Sequence, residues 1–332
     1  MFRLTYYKDN HIKQLFKTSN MKAIILVQPG STSNLVMREI NTPQIGDEEV
    51  LMQVKSISIN PVDTKTRQGG GIYNYGNVSK QSDLILGWDI SGTVTATNSK
   101  RFAIGDEVFG MVNFPGVGSA YAEYIAAPAE HLASKPANIS HQEAAAATLA
   151  PLTALQVFKE AEVKAGDRIL IHAASGGVGH YAIQLAKEIG AYVIGTSSAS
   201  NREFVLSLGA DEHFDYHGGN LADATHDIDF VFDSLGPDNI IKSLPVIKNG
   251  GKVISIVTQF NDDLTAQLAA KNVTGKFLLV QSSGKDMEYL ATLLENGKLK
   301  SHVSKSFAFD KMADAHQQIE SGRTVGKIVV NI

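Results

Sequence analysis

Cysteine is absent from the 332 residues. Its absence excludes disulfides, thiolate nucleophiles and every zinc site built with cysteine. Long apolar runs are missing too. Strand-sized pieces such as residues 169–174 are the longest, against the roughly 18 residues that a membrane-crossing helix needs. A soluble protein without a membrane partner is expected. No dense cluster of Lys and Arg occurs, and the net charge is −4, so nucleic acid is not the expected partner. Residues 1–20 lack the apolar stretch of a secretory signal and are polar, basic and aromatic. They read as an upstream extension that adds little to the fold, and a cytoplasmic location is expected.

What is present is an ordinary globular composition, 43% hydrophobic and 19% charged, with length enough for two domains. From Met21 to about Ala127, short β-type runs such as KAIILV, EVLMQVKSISI and DEVFGMV alternate with turn signals. That pattern predicts a mostly antiparallel, partly barrel-like domain. Ser140 and Glu143 have the spacing of a capping box before an Ala-rich helix, which places a domain boundary nearby. After Gly166, strands alternate with helices, among them helices over 177–189 and 201–208, which predicts a parallel sheet covered on both faces. Helices carrying Met287, Leu290 and Leu294, then Met312, Ala315, His316 and Ile319, lead to a last strand, KIVVNI, that returns to the first domain. The division is therefore 1–20, an extension; 21–145 with 285–332, one domain; and 146–284, the other.

The strongest local signal lies at 167–189. A strand over 167–172 runs into the turn Ala173-Ala174-Ser175-Gly176-Gly177-Val178-Gly179, and Val178, Ala182, Leu185 and Ile189 share one helical face. Ala174, Gly176 and Gly179 occupy the three glycine places of G-x-G-x-x-G, the turn that lets backbone and helix N-terminus receive a pyrophosphate. A dinucleotide cofactor follows, held at Ala174, Ser175, Gly176, Gly177, Val178 and Gly179. The second strand ends in Thr196-Ser197-Ser198-Ala199-Ser200-Asn201-Arg202, without the acid that usually takes the ribose hydroxyls of NAD. Ser197, Ser198 and Arg202 can donate to a 2′-phosphate, so NADPH is expected over NADH. The same residues also suit a plain helix cap, Ser200 with Glu203, beside a solvated Arg202.

Further motifs run along the chain: Asn60-Pro61-Val62-Asp63, Gly87-Trp88-Asp89-Ile90-Ser91-Gly92, Gly105-Asp106-Glu107-Val108-Phe109-Gly110, Ser119-Ala120-Tyr121-Ala122-Glu123-Tyr124 and Gly326-Lys327-Ile328-Val329-Val330. With the glycine turn they make residues 21–332 resemble the quinone oxidoreductase (zeta-crystallin-like) branch of the medium-chain dehydrogenase/reductase superfamily. The resemblance implies an α/β fold: a Rossmann doubly wound parallel sheet inserted in a mostly antiparallel, GroES-like partial-barrel catalytic domain. Zinc-dependent members have a cysteine where Asn60 to Asp63 stand and a histidine where Trp88 follows Gly87, so no zinc is expected. His213 and His217 do not restore a metal, since i, i+4 spacing does not converge on a strand. Without a Lewis acid an alcohol is a poor substrate. The implied acceptor is a small electrophile, a quinone or an α,β-unsaturated carbonyl, reduced by an enzyme.

The resemblance also implies roles. Asn60, Asp63, Thr153 and the loop at Ile256 lie near the nicotinamide, Lys327 approaches the cleft, and Tyr216 lies near the adenine end. Tyr73 is placed over the substrate, or is an ordinary loop aromatic. Asn60, Asp63 and Tyr73 are the catalytic candidates, although Asn60 also suits a cap before Pro61. Asp63, Lys65 and Arg67 form an ion-pair patch or solvated surface. A homodimer through the strand near 276–280 is expected, because an apolar edge strand invites pairing. An enoyl-thioester reductase and a non-catalytic NADPH-binding protein are the alternatives.

Overall fold

A computed structural model describes residues 20–75, 80 and 83–332. The extension expected over 1–20 lies outside the described residues except for Asn20. Alternating burial along β3 (Glu49–Ile59) sends Val50, Met52 and Val54 inward, the period-2 pattern of a half-buried strand. Around it β5 (Asp89–Thr97), β6 (Glu107–Met111), β7 (Tyr124–Pro128) and β8 (Leu132–Ser134) pair antiparallel. A smaller antiparallel sheet joins β1 (Asn20–Leu26), β2 (Leu35–Asn41) and β4 (Leu84–Ile85). The last strand, β16 (Lys327–Asn331), lies antiparallel on β3 and parallel to β15 (Val303–Ala308), so the chain does return to the first sheet.

Between these parts runs a six-stranded, all-parallel sheet in the order β11 (Glu212–Asp215), β10 (Tyr192–Ser197), β9 (Arg168–Ile171), β12 (Ile228–Asp233), β13 (Ile247–Ser255), β14 (Thr274–Phe277). This is the Rossmann strand order. Ile169, Leu170 and Ile171 are buried because helices cover both faces. The order reverses between β9 and β12, and ligands of such sheets bind outside the carboxyl ends of the strands at that point.

The capping box at Ser140 forms as expected, with the Ser140 Oγ accepting from the Glu143 N–H and the Glu143 carboxylate accepting from the Ser140 N–H. The edge strand departs from expectation. It spans Thr274–Phe277, with Thr274, Gly275 and Lys276 exposed and Lys276 paired with Glu160 at 2.6 Å. Leu278 donates its N–H to the Ser255 carbonyl, and Leu278, Leu279 and Val280 turn into the space between the two parts. Leu278, Leu279 and Val280 therefore wall a cavity instead of extending the edge, and Phe277 stacks on Tyr75. The cofactor helix begins at Gly179, two residues after the expected start.

At the centre of the parallel sheet Phe232 is buried and meets Phe158 edge-on at 5.9 Å. Phe232→Ala should cost about 3–5 kcal/mol, the usual loss for a fully buried aromatic. Urea unfolding checks it, and a loss below about 1 kcal/mol would refute this account of the core.

Candidate active site

After β9 the chain turns sharply at Ala173, whose φ of 47° is uncommon for a residue with a Cβ. The Gly176 N–H bonds the Ala173 carbonyl at 2.8 Å and closes the turn. A Cβ on Gly179 would lie 2.2 Å from that carbonyl, so glycine is required there. No side chain caps the helix Gly179–Ile189, and among the described residues the N–H groups of Gly177, Val178 and Gly179 have no partner. Unpartnered N–H groups at the positive end of a helix form an anion site. The residues present thus fit a dinucleotide pyrophosphate.

The turn is held from behind. The Gly326 N–H donates to the Ser175 carbonyl at 2.8 Å. Buried His180 bonds the Gly176 carbonyl through Nδ1 at 3.0 Å and faces the His302 N–H through Nε2 at 3.4 Å. Burial pushes the His180 pKa down to about 3, which keeps the ring neutral, with Nδ1 donating and Nε2 accepting. Gly326 has a φ of 61°, and a Cβ there would lie 2.3 Å from the His302 carbonyl. Close approach and left-handed backbone both require glycine before Lys327.

Two cavities meet at this turn. The inner one, about 330 Å³, is bordered by Asn60, Thr153, Gly176 to Gly179, Ile256 and Lys327, with apolar walls that include Val62, Leu279 and Tyr75. The outer one, about 1050 Å³, is bordered by Ser175, Ser197, Ser198, Asn201, Tyr216, Lys242 and Arg323. Ala173, Gly176, Gly322 and Thr324 border both, so the two form one path. No Asp or Glu among the described residues borders either.

Beneath the inner cavity lies a buried polar cluster. The Asn60 carboxamide bridges Lys327 and Asp89, accepting from the Lys327 ammonium and donating to the Asp89 carboxylate at 2.7 Å. Lys327 and Asp89 are themselves 3.7 Å apart. Burial pushes the Lys327 pKa down, while Asp89 and Asp63 pull it back up. Asp63 accepts from the Asn60 N–H at 2.8 Å and from the Tyr121 hydroxyl at 2.9 Å. That hydroxyl also meets His316 Nε2 at 2.9 Å, and His316 leads to Arg67, which reaches Glu320. Burial raises the Asp63 carboxyl to about 7, Asp89 adds to the rise, and its two donors lower it.

Several predicted residues fall elsewhere than expected. Asp63 is completely buried and borders neither cavity, because its carboxylate turns back to the Asn60 N–H; it positions Asn60 and does not face substrate. Tyr73 packs against the antiparallel core with its hydroxyl buried and unpartnered among the described residues. Tyr75, two residues on and stacked on Phe277 at 5.9 Å, borders the cleft in its place. Arg202 starts the helix Arg202–Ser207, is exposed, and borders neither cavity. Ser200 leaves Glu203 uncapped and meets Ser198 at 3.0 Å. Lys242 and Arg323, which no local motif marks, supply the cations of the outer cavity. Trp88 donates to the Gly116 carbonyl at 2.8 Å and packs edge-on against Phe114 at 5.4 Å. Among the described residues no group of three His, Cys, Asp or Glu side chains could hold a metal ion.

A Rossmann sheet with an open pyrophosphate turn, facing a GroES-like barrel across a cleft, defines a two-domain nicotinamide-dependent oxidoreductase. Comparison with known proteins agrees. Residues 46–137 match the alcohol dehydrogenase GroES-like domain family and residues 208–330 the zinc-binding dehydrogenase family. The chain is 33% identical over 325 residues to a 2-methylene-furan-3-one reductase of Solanum lycopersicum, covering 94% of this chain and 79% of the relative. It is 34% identical to a chloroplastic NADPH-dependent alkenal/one oxidoreductase of Arabidopsis thaliana, covering 93% and 79%. A solved quinone oxidoreductase from Coxiella burnetii superposes with a TM-score of 0.87 at 35% identity, covering 95% of this chain and 100% of that one. The chain belongs to the medium-chain dehydrogenase/reductase superfamily, among its quinone and alkenal oxidoreductases.

The same relatives overturn the expected cytoplasmic location. The Arabidopsis thaliana protein and a Spinacia oleracea quinone-oxidoreductase homolog are named as chloroplastic, and a Bos taurus NAD(P)H oxidoreductase as mitochondrial, so proteins like this one are not characteristically cytoplasmic. The absence of a secretory signal says nothing about organellar import. No helix among the described residues is long and apolar enough to cross a membrane.

Asp63 gives a pH prediction. Its folded pKa, about 7, lies above the ordinary carboxylate value of 3.8, so the folded state holds the proton more tightly than the unfolded chain. Stability contributed by this group is therefore present at low pH and falls as pH rises from about 4 through about 7. Between about pH 5 and about pH 8, wild type should lose stability relative to Asp63→Asn in urea titrations; a constant gap would refute the raised pKa.

Proposed function

We propose that the protein is an NADPH-dependent reductase, independent of zinc, that delivers hydride to a quinone or to the double bond of an α,β-unsaturated carbonyl. The observation that carries this reading is a path that no carboxylate borders among the described residues, largely apolar at its inner end and bordered by serines, Lys242 and Arg323 at its outer end. A 2′-phosphate is favoured where no acid repels it and cations can reach it. Ser197, Ser198, Lys242 and Arg323 would hold that phosphate, Tyr216 would border the adenine end, and the N–H groups of Gly177 to Gly179 would hold the pyrophosphate. Thr153, Ile256 and Asn60 would border the nicotinamide. Bound NADPH supplies the hydride.

The chain's own contribution is position and charge. Asn60 and Trp88 stand where zinc-dependent relatives have ligands, and both are committed to hydrogen bonds with neighbours. Negative charge that develops on the acceptor oxygen is met by Lys327, the buried one of the two lysines that border the inner cavity. Apolar walls exclude water around an acceptor that is already electrophilic. The reading takes 21–145 with 285–332 as the catalytic part and 146–284 as the dinucleotide part. It includes a homodimer in which β14 pairs with its copy, since the outer backbone groups of an edge strand favour association.

Loss of NADPH absorbance with ortho-quinones, para-quinones, enals and enones is the direct test. Tight NADPH binding without oxidation by any acceptor would leave a binding protein and remove the reductase. Oxidation by enoyl-CoA alone would select the thioester reductase instead. For the cofactor, Arg323→Ala and Lys242→Ala should each weaken NADPH binding about tenfold and narrow its preference over NADH, as loss of a charge-assisted contact does. Fluorescence titration reads both; an unchanged ratio would remove the 2′-phosphate assignment.

A further inference from the structure

Three charged side chains alternate along the helix Pro61–Arg67, and the fold treats each differently. Asp63 is sealed against the Asn60 N–H and Tyr121. Arg67 is buried between His316, the Gly30 carbonyl and Glu320. Lys65 alone borders the inner cavity, is exposed, and makes no ion pair among the described residues.

The backbone that carries this amine is held in place. The Lys65 carbonyl accepts from the Gly70 N–H at 2.9 Å, which closes the end of the helix. Beside it the wall is apolar, with Pro61, Val62 and Tyr75. The other cation of the cavity, Lys327, is committed to Asn60 and Asp89. Lys65 does not border the outer cavity, so it stands apart from the groups that would take the phosphate of the cofactor's adenosine end. One uncommitted ammonium on an apolar wall without a carboxylate matches one monoanion on an otherwise apolar molecule.

We propose that Lys65 is a specificity residue that selects acceptors bearing a carboxylate: an apolar enone or quinone whose single anionic group is remote from its electrophilic carbon. This rests on the reductase reading, and the two can be tested apart. Binding is measured on the full chain loaded with oxidised cofactor, by calorimetry with a saturated ten-carbon keto acid, its ketone and carboxylate at opposite ends, and with the methyl ester of that acid. Wild type should bind the acid about five- to tenfold more tightly than the ester, within the range of a partly exposed ion pair with hydrogen bonds. Lys65→Gln should abolish the preference and Lys65→Glu should reverse it. Equal binding of acid and ester by wild type, or a preference that survives in Lys65→Gln, overturns the proposal. NADPH oxidation with the corresponding enone acid and ester reports on the reaction separately. A binding preference that depends on Lys65, with no oxidation of NADPH, would uphold the anion site and remove the reductase reading.

Discussion

A lysine held almost completely out of water fixes the geometry of this molecule. Removing an ammonium from solvent costs several kcal/mol unless a countercharge and hydrogen bonds replace the lost hydration. Lys327 is compensated by three groups from two pieces of chain: the Asp89 carboxylate at the start of β5, and, where β3 runs into the helix Pro61–Arg67, the Ile59 carbonyl and the Asn60 carboxamide. Because none of the three suffices alone, the C-terminal strand, the central strand pair and that helix are placed together. Removing any one partner would leave a buried charge uncompensated, which is more costly than never having buried it.

From Lys327 the constraint passes to the cofactor turn. Gly326, the preceding residue, bonds Ser175, and Lys327 bonds the His302 carbonyl, while the His302 N–H meets His180 at the base of the glycine turn. The N–H groups that would receive a pyrophosphate and the cation that would meet a developing oxyanion are thus joined by a few buried bonds. A cofactor held by one part and an acceptor held by the other then share one reference frame. Positioning of this kind supplies much of the rate in reactions whose chemistry resides in the cofactor.

The glycine turn and the parallel sheet were legible in the sequence because their causes are local. A strand, a Cβ-free turn and an amphipathic helix occur in one stretch of about twenty residues, and Gly179 is required by a carbonyl only six positions away. The cluster around Lys327 was not legible in the same way. Asp89 and Tyr121 occur within motifs of the resemblance, but nothing local tells that Asp89 faces Asn60 or that Tyr121 reaches Asp63, 58 positions distant. Tyr73 and Tyr75 show how fine the distinction is. Both lie in one short loop, and contacts from distant parts of the chain separate them: Tyr75 stacks on Phe277 while Tyr73 packs against the antiparallel core. Arg202 is near the second strand in sequence yet borders neither cavity, whereas Arg323 reaches the outer cavity on a loop from the far end of the chain.

The distribution of charge along the cleft gives these placements a common sense. The chain carries four more acids than bases, yet among the described residues no acid borders the path while Lys65, Lys242, Arg323 and Lys327 all do. Acids near the cleft, Asp63 and Asp89, are turned inward and occupied by donors. A globally anionic protein with a locally cationic, low-dielectric groove focuses its field on that groove, which favours anionic ligands there and weakens non-specific association elsewhere. The buried acids are therefore needed twice: they compensate Lys327 inside the protein, and by facing inward they leave the groove positive. The division of Asp63, Lys65 and Arg67 on one short helix is the local form of the same arrangement, since Asp63 and Arg67 are each given partners inside the protein and Lys65 is left to the ligand.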